Sequence, residues 1–137
     1  MQSSLPAPLI SKWQLLPSDV RSAPASEGQL LAFESFHGPI PVEYRDFLSI
    51  CGGGPVGAEW IDGIEELTDT HRKFHRERGP AGWENADVFV IGWDGAGNPI
   101  SIDGAGKVVV EDHNFGGVRV LAPSFSAFLA KGLGYAL

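Results

Sequence analysis

The chain has 137 residues, 43% of them apolar and 10% aromatic, enough to fill one core without disulfides or a metal, so a single domain is expected. Its formal net charge of −7 repels a nucleic-acid backbone, so direct nucleic-acid binding is not expected and a cationic partner suits the surface better. One cysteine, no apolar run near the ~20 residues that span a bilayer, and an N-terminus without a cationic, apolar leader lead to the expectation of a reduced, cytoplasmic setting with no membrane contact.

Residues 1–25 hold Pro6, Pro8, Pro17 and Pro24, each of which interrupts a continuous helix or ladder, so this stretch reads as a proline-rich N-terminal arm. Trp13, Leu15 and Leu16 are apolar enough for part of it to dock on the domain over 26–137. Ser26 and Gln29 have the spacing of a capping box, and Leu30, Phe33 and His37 with Leu31 and Phe36 give a broad apolar face, predicting a helix over about 27–37 that ends at Gly38-Pro39. Pro41 suits a first helical turn, and Tyr44, Phe47, Leu48 and Cys51 recur at helical spacing, predicting a second helix over about 41–51 before the glycine run. A short strand is expected over 56–60. A highly charged helix follows over 64–78, with Ile64, Leu67 and Phe74 as a narrow stripe and Gly79-Pro80 as its stop.

Beyond Trp83 the pattern turns to β. Runs at 88–93, 99–103, 107–112 and 118–121 are β-branched and separated by glycine-containing turns, as in an antiparallel meander. Asp-Gly-Ala-Gly occurs at 94–97 and again at 103–106, predicting two hairpin turns that need positive φ. Pro123 and Ser124 open a last helix with Phe125, Phe128 and Leu129 on one face. The class is α+β, with helices packed on a mostly antiparallel sheet.

No constellation adds up to an active site. Gly52-Gly53-Gly54-Pro55-Val56-Gly57 fits G-x-G-x-x-G, but a helix precedes it where a dinucleotide loop needs a strand, and Pro55 removes a donor. Gly106-Lys107 lacks the following Ser or Thr of a phosphate loop. His71 and His75 are four apart, yet Arg72 stands where a metalloprotease has Glu, and Arg76 and Arg78 oppose a dication, so a solvated helix face is expected and no metal or cofactor. Cys51 has no base and no orienting group marked for it and reads as a buried helix-end thiol. Asp103, Glu111, Asp112 and His113 read as turn and rim residues, with no catalytic role. Trp60, Trp83 and Trp93 are core-edge side chains or part of a partner surface. The acids are uneven: Glu59, Asp62, Glu65, Glu66 and Asp69 come with no base between 56 and 70, and Lys107 is the sole base within 79–118. Such an excess serves solvation first and partner choice second.

The run Ile40-Pro41-Val42-Glu43-Tyr44-Arg45-Asp46-Phe47-Leu48 followed by Cys51-Gly52-Gly53 resembles the SUKH superfamily, shared by Smi/Knr-type cell-wall regulators and many bacterial immunity proteins. Phe89-Val90-Ile91-Gly92 with Asp94-Gly95 and Gly97, then Asp112-His113, then Ser124-Phe125 and Phe128-Leu129 agree in order and spacing, over about 26–131. Cys51, where the family usually has Asn, and the N-terminal arm are departures. The resemblance implies an α+β domain that binds proteins without catalysis. In its bacterial branch it implies an immunity protein that neutralises a cognate toxin, often a nuclease, by stoichiometric binding, and an acidic inhibitor suits a basic toxin domain. A regulatory or scaffold module binding a cellular protein is the alternative. The expected partner contacts are Glu59, Asp62, Trp93, Asp94, Asp103, Glu111 and Asp112, as charge complement and aromatic anchor at a sheet edge or loop rim.

Overall fold

A computed structural model of the chain describes residues 4–77, 88–112 and 117–135. Helix α1 (Ala7–Gln14) lies within the stretch read as a proline-rich arm, for which no helix was predicted. Its prolines do not prevent it: Pro6 is the N-cap and Pro8 falls in the first turn, where a missing N–H deprives no partner. Leu9 and Trp13, four apart, are both buried, and the Trp13 indole Nε1 donates to the Cys51 carbonyl at 3.2 Å. A 3-10 turn (Ser18–Val20) follows. Ser22 and Ala25 then donate their N–H groups to Gly53 and Leu48, each at 2.7 Å, lacing the segment to the domain.

Both halves of the capping box form at α2 (Glu27–His37): Ser26 Oγ accepts from Gln29 N at 3.1 Å, and Gln29 Oε1 accepts from Ser26 N at 2.9 Å. Its buried stripe is narrower than expected. Leu30 and Phe33 face the core, whereas Leu31 is exposed and Phe36 is 86% exposed. Helix α3 (Val42–Ile50) buries Tyr44, Phe47 and Leu48 completely and hands over to Cys51 and Gly52. Gly52 has φ 97, and a Cβ there would stand 2.1 Å from the Ser22 carbonyl oxygen, so the close return of the N-terminal segment requires glycine.

The single strand expected at 56–60 is two strands, β1 (Gly54–Val56) and β2 (Glu59–Ile61), because Gly57, with φ 63, reverses the chain in the middle of that run. Helix α4 (Ile64–Glu77) buries Ile64, Leu67 and Phe74 as expected. Its expected end at Arg78, the Gly79-Pro80 stop, Trp83 and His113 lie outside the described residues. Strands β3 (Val88–Trp93), β4 (Pro99–Asp103), β5 (Val108–Glu111) and β6 (Val118–Ala122) form the expected meander. With β1 and β2 they make a six-stranded sheet in sequence order, antiparallel at every pairing.

The repeated tetrapeptide builds the same turn twice. Gly97 and Gly106 donate to the carbonyls of Asp94 and Asp103 at 3.1 and 2.9 Å, with φ 84 and 85. In each turn the Asp Oδ1 also accepts two backbone N–H groups, from Ala96 and Asn98 or from Ala105 and Lys107, all at 2.9 Å. Ser124 caps α5 (Phe125–Leu133) by accepting from Ala127 N at 3.0 Å.

Helices and sheet meet in one core, in which Trp13, Phe47, Tyr44 and Phe125 pack edge to face with centroids 4.8 to 5.5 Å apart, except the stacked Tyr44 and Phe47 pair at 6.3 Å. From the sheet, Ile61, Ile91, Ile100, Ile102, Val108 and Val110 enter it. Strand β2 pairs with β3 only at Trp60↔Trp93 and Ile61↔Gly92. Past that point the edge of β3 is satisfied by Asp62 N, which donates to Ile91 O, and by His71 Nε2 of α4, which donates to Val90 O, both at 2.8 Å. Helix α4 therefore takes the place of a neighbouring strand, with Phe74 forming a second small cluster with Val88, Val90 and Trp93. Among the described residues no helix is long and apolar enough to cross a membrane.

Candidate partner-binding surface

Residues directly opposite in an antiparallel ladder share a face. The pairings Pro55↔Trp60, Trp60↔Trp93 and Trp93↔Pro99 therefore set a transverse row, Pro55–Trp60–Trp93–Pro99, across β1 to β4 at one end of the sheet. Trp60 is 40% exposed, Trp93 half-buried and Pro99 buried. Both indoles are fixed from α4, whose Glu66, Thr70 and Lys73 follow one another at helical spacing and so lie on one stripe. Trp60 Nε1 donates to Glu66 Oε2 at 3.1 Å, and Trp93 Nε1 donates to Thr70 Oγ1 at 3.3 Å. Lys73 Nζ stands 4.2 Å from the centroid of the Trp93 ring, in cation–π geometry. Glu66 Oε1 accepts from Gly63 N at 3.3 Å, tying the start of α4 to the turn that leaves β2.

Beneath the row is a buried polar chain. The Thr70 hydroxyl, which accepts from Trp93, donates to the Asp62 carboxylate, and the Tyr44 hydroxyl donates to the Asp62 carbonyl at 2.7 Å. Burial pushes the Asp62 carboxyl up to about 7; the Thr70 hydrogen bond opposes the rise and the nearby Glu66 charge adds to it. Burial pushes the His71 imidazole down to about 4, against the Val90 hydrogen bond and with help from His37 and His75. Its ring packs between Phe33 and Phe89, with centroids at 5.2 and 4.5 Å. At the strand ends, burial followed by the Asp94 charge raises the Glu59 carboxyl, while Arg119 lowers it. Burial pushes the Cys51 thiol up to about 11, which leaves little thiolate near neutrality.

Of the residues expected from sequence to meet a partner, Glu59, Trp93 and Asp94 come together at this end of the sheet, with Glu111 at the matching end of β5 and Asp112 just past it. Asp103 does not join them, because it closes the turn at the other end of β4. Asp62 departs from a rim position: it is 5% exposed, because α4 folds over the residue that follows β2. Glu111 is also buried, and the Asp94 and Asp103 carboxylates are engaged in their own turns. The helix face carrying His71 and His75 is not a uniformly solvated one: His71 is buried against the sheet edge and His75 is exposed. Among the described residues no group of three or more His, Cys, Asp or Glu is placed to hold a metal ion.

Sequence reasoning left Trp60 undecided between core edge and partner surface, and it missed Glu66 and Lys73 as the residues that frame the pair. The spacing of Glu66, Thr70 and Lys73 was readable, but the register that sets Trp60 beside Trp93 spans the whole of α4 and is carried by no local pattern.

No curated protein matches this chain in comparison. A family model does: the match over residues 24–131 takes in α2 to α4, all six strands and most of α5, leaves α1 outside, and shows that the chain belongs to the SMI1 / KNR4 family (SUKH-1).

Proposed function

We propose that the protein is an immunity protein that binds a basic toxin domain one to one and blocks it by occlusion, without catalysis and without touching nucleic acid itself. The observation that carries this reading is the Trp60–Trp93 pair, held on paired strands, partly exposed and edged by the Glu66 carboxylate, with the exposed Asp69 one turn further along α4, in a chain of net charge −7. Preformed aromatic side chains supply contact area at low entropic cost, and surrounding acids speed encounter with a cationic surface. Membership of the family supports protein binding as the mode of action. The buried, poorly ionised Cys51 supports a role without thiol chemistry and fits the cytoplasm, where the protein acts on the toxin before release.

The test is binding to the product of an adjacent toxin gene. A one-to-one complex with loss of toxin activity is expected, with an association rate that falls steeply as salt is added. The charge reversal that probes steering belongs at Glu65 and Asp69, which are exposed on α4, and not at Asp94, whose carboxylate holds its turn. Glu65→Lys with Asp69→Lys should slow association about threefold to tenfold at low salt with the fold intact. No complex with any neighbouring gene product would instead favour a regulatory or scaffold module.

A further inference from the structure

We infer that the exposed face of Trp60 is a seat for an arginine side chain of the partner protein, an inference that rests on the protein-binding reading above and gives it a point of contact. The neighbouring ring shows the chemistry. Trp93, on the same face and in register with Trp60, holds the Lys73 ammonium 4.2 Å from its centroid. Among the described residues no cation stands over Trp60, although the residue is 40% exposed.

The rim selects the sign and the shape of what binds. Glu66 fixes the Trp60 indole N–H at 3.1 Å, which sets the ring plane and places a carboxylate at the ring edge. Asp69, exposed and acidic, follows one turn further along α4. An anion would meet like charges at each of these positions. A purely apolar side chain would cover the ring but leave the negative charge of Glu66 at its edge uncompensated. A guanidinium satisfies both demands, because its plane stacks on the indole while its fork of N–H donors reaches a carboxylate beside the ring. Pro55 and Pro99 flank the pair and stiffen the backbone beneath it, so the seat is preformed.

The experiment is NMR of the full chain, with the indole N–H signals assigned by Trp60→Phe and Trp93→Phe, titrated with N-acetyl-arginine N-methylamide. The neutral isostere N-acetyl-citrulline N-methylamide is the control. The expected result is a saturable shift of the Trp60 indole signal with the arginine probe and none with citrulline, reduced about fivefold in affinity by Glu66→Gln; in the Trp60 variants, which lack that signal, binding is read from the backbone amides of residues 59–61, and Trp60→Leu abolishes it. Trp60→Phe should retain part of the binding, which separates loss of the ring from loss of the fold. Equal shifts with both probes, or arginine shifts spread over the surface without favouring Trp60, would overturn the inference. The two readings fail separately. A toxin bound and inhibited as well by Trp60→Leu as by the natural protein removes the seat and leaves the function. Arginine bound at Trp60 with no toxin bound removes the function and leaves the seat.

Discussion

Asp62 and His71 flank Thr70 and hold opposite preferences for a proton. The Asp62 carboxyl, raised by burial from 3.8 to about 7, binds its proton more tightly in the folded chain, so its contribution to stability is complete below 3.8 and fades as pH rises to about 7. The His71 imidazole, lowered by burial from 6.5 to about 4, contributes in the opposite sense: its share is complete above 6.5 and is lost as pH falls to about 4. Across nearly the same window the two slopes offset. Asp62→Asn, whose amide oxygen still accepts from Thr70, should therefore leave an unfolding free energy that rises with pH between 4.5 and 7 more steeply than in the natural protein. His71→Gln, whose amide still donates toward Val90, should leave one that falls. Urea unfolding across this range measures both, and two variants that keep the natural slope would show that neither group carries the proton linkage. Burial also predicts that Cys51 reacts slowly with an alkylating reagent at pH 8 until denaturant unfolds the chain, and fast native labelling would contradict the raised thiol. Of these groups only the buried Cys51 was legible in the sequence. Asp62 reads like Glu59, Glu65, Glu66 and Asp69 around it, and only the fold of α4 over the end of β2 takes it out of water.

At the scale of elements, the signals that were legible are those in which one residue satisfies a neighbour: the Ser26 and Gln29 box, the Ser124 cap and the two Asp-Gly-Ala-Gly turns. Helix α3 was legible by period, and Phe47, fully buried between Trp13, Tyr44 and Phe125, makes the clearest stability probe. Phe47→Ala should cost about 3–5 kcal/mol in urea unfolding, and a loss below about 1 kcal/mol would place that face outside the core. Helix α1 escaped notice because its prolines read as breaks, and the β1–β2 hairpin because strands of three residues carry too short a pattern to separate from a single run. Although α1 precedes the family match, its Trp13 fills the same aromatic cluster and ties down the end of α3 through the Cys51 carbonyl. Trp13→Ala should thus cost about as much as Phe47→Ala, roughly 3–5 kcal/mol, and a variant as stable as the natural chain would make α1 a dispensable appendage.

For the molecule as a whole, the order of helices and strands and the α+β class were legible, since each element carries its own periodicity and the meander needs only short turns between neighbours. The surface was not, because it is made by register: Trp60 and Trp93 become a pair only when β2 and β3 align, and α4 between them in sequence supplies the residues that fix both rings. Charge was readable as a total, but its distribution required the fold, which buries Asp62 and Glu111 and commits Asp94 and Asp103 to turns. What remains at the surface is an aromatic row edged by α4 with its exposed Glu65, Glu66 and Asp69, and occlusion of a basic partner predicts a definite stoichiometry. Titrating a fixed amount of the adjacent gene's toxin with this protein should lower toxin activity in a straight line that reaches zero at one equivalent. Complete inhibition at far less than one equivalent would mean the toxin is being altered catalytically, and undiminished activity at several equivalents would mean that it is not the partner; either result contradicts inhibition by one-to-one binding.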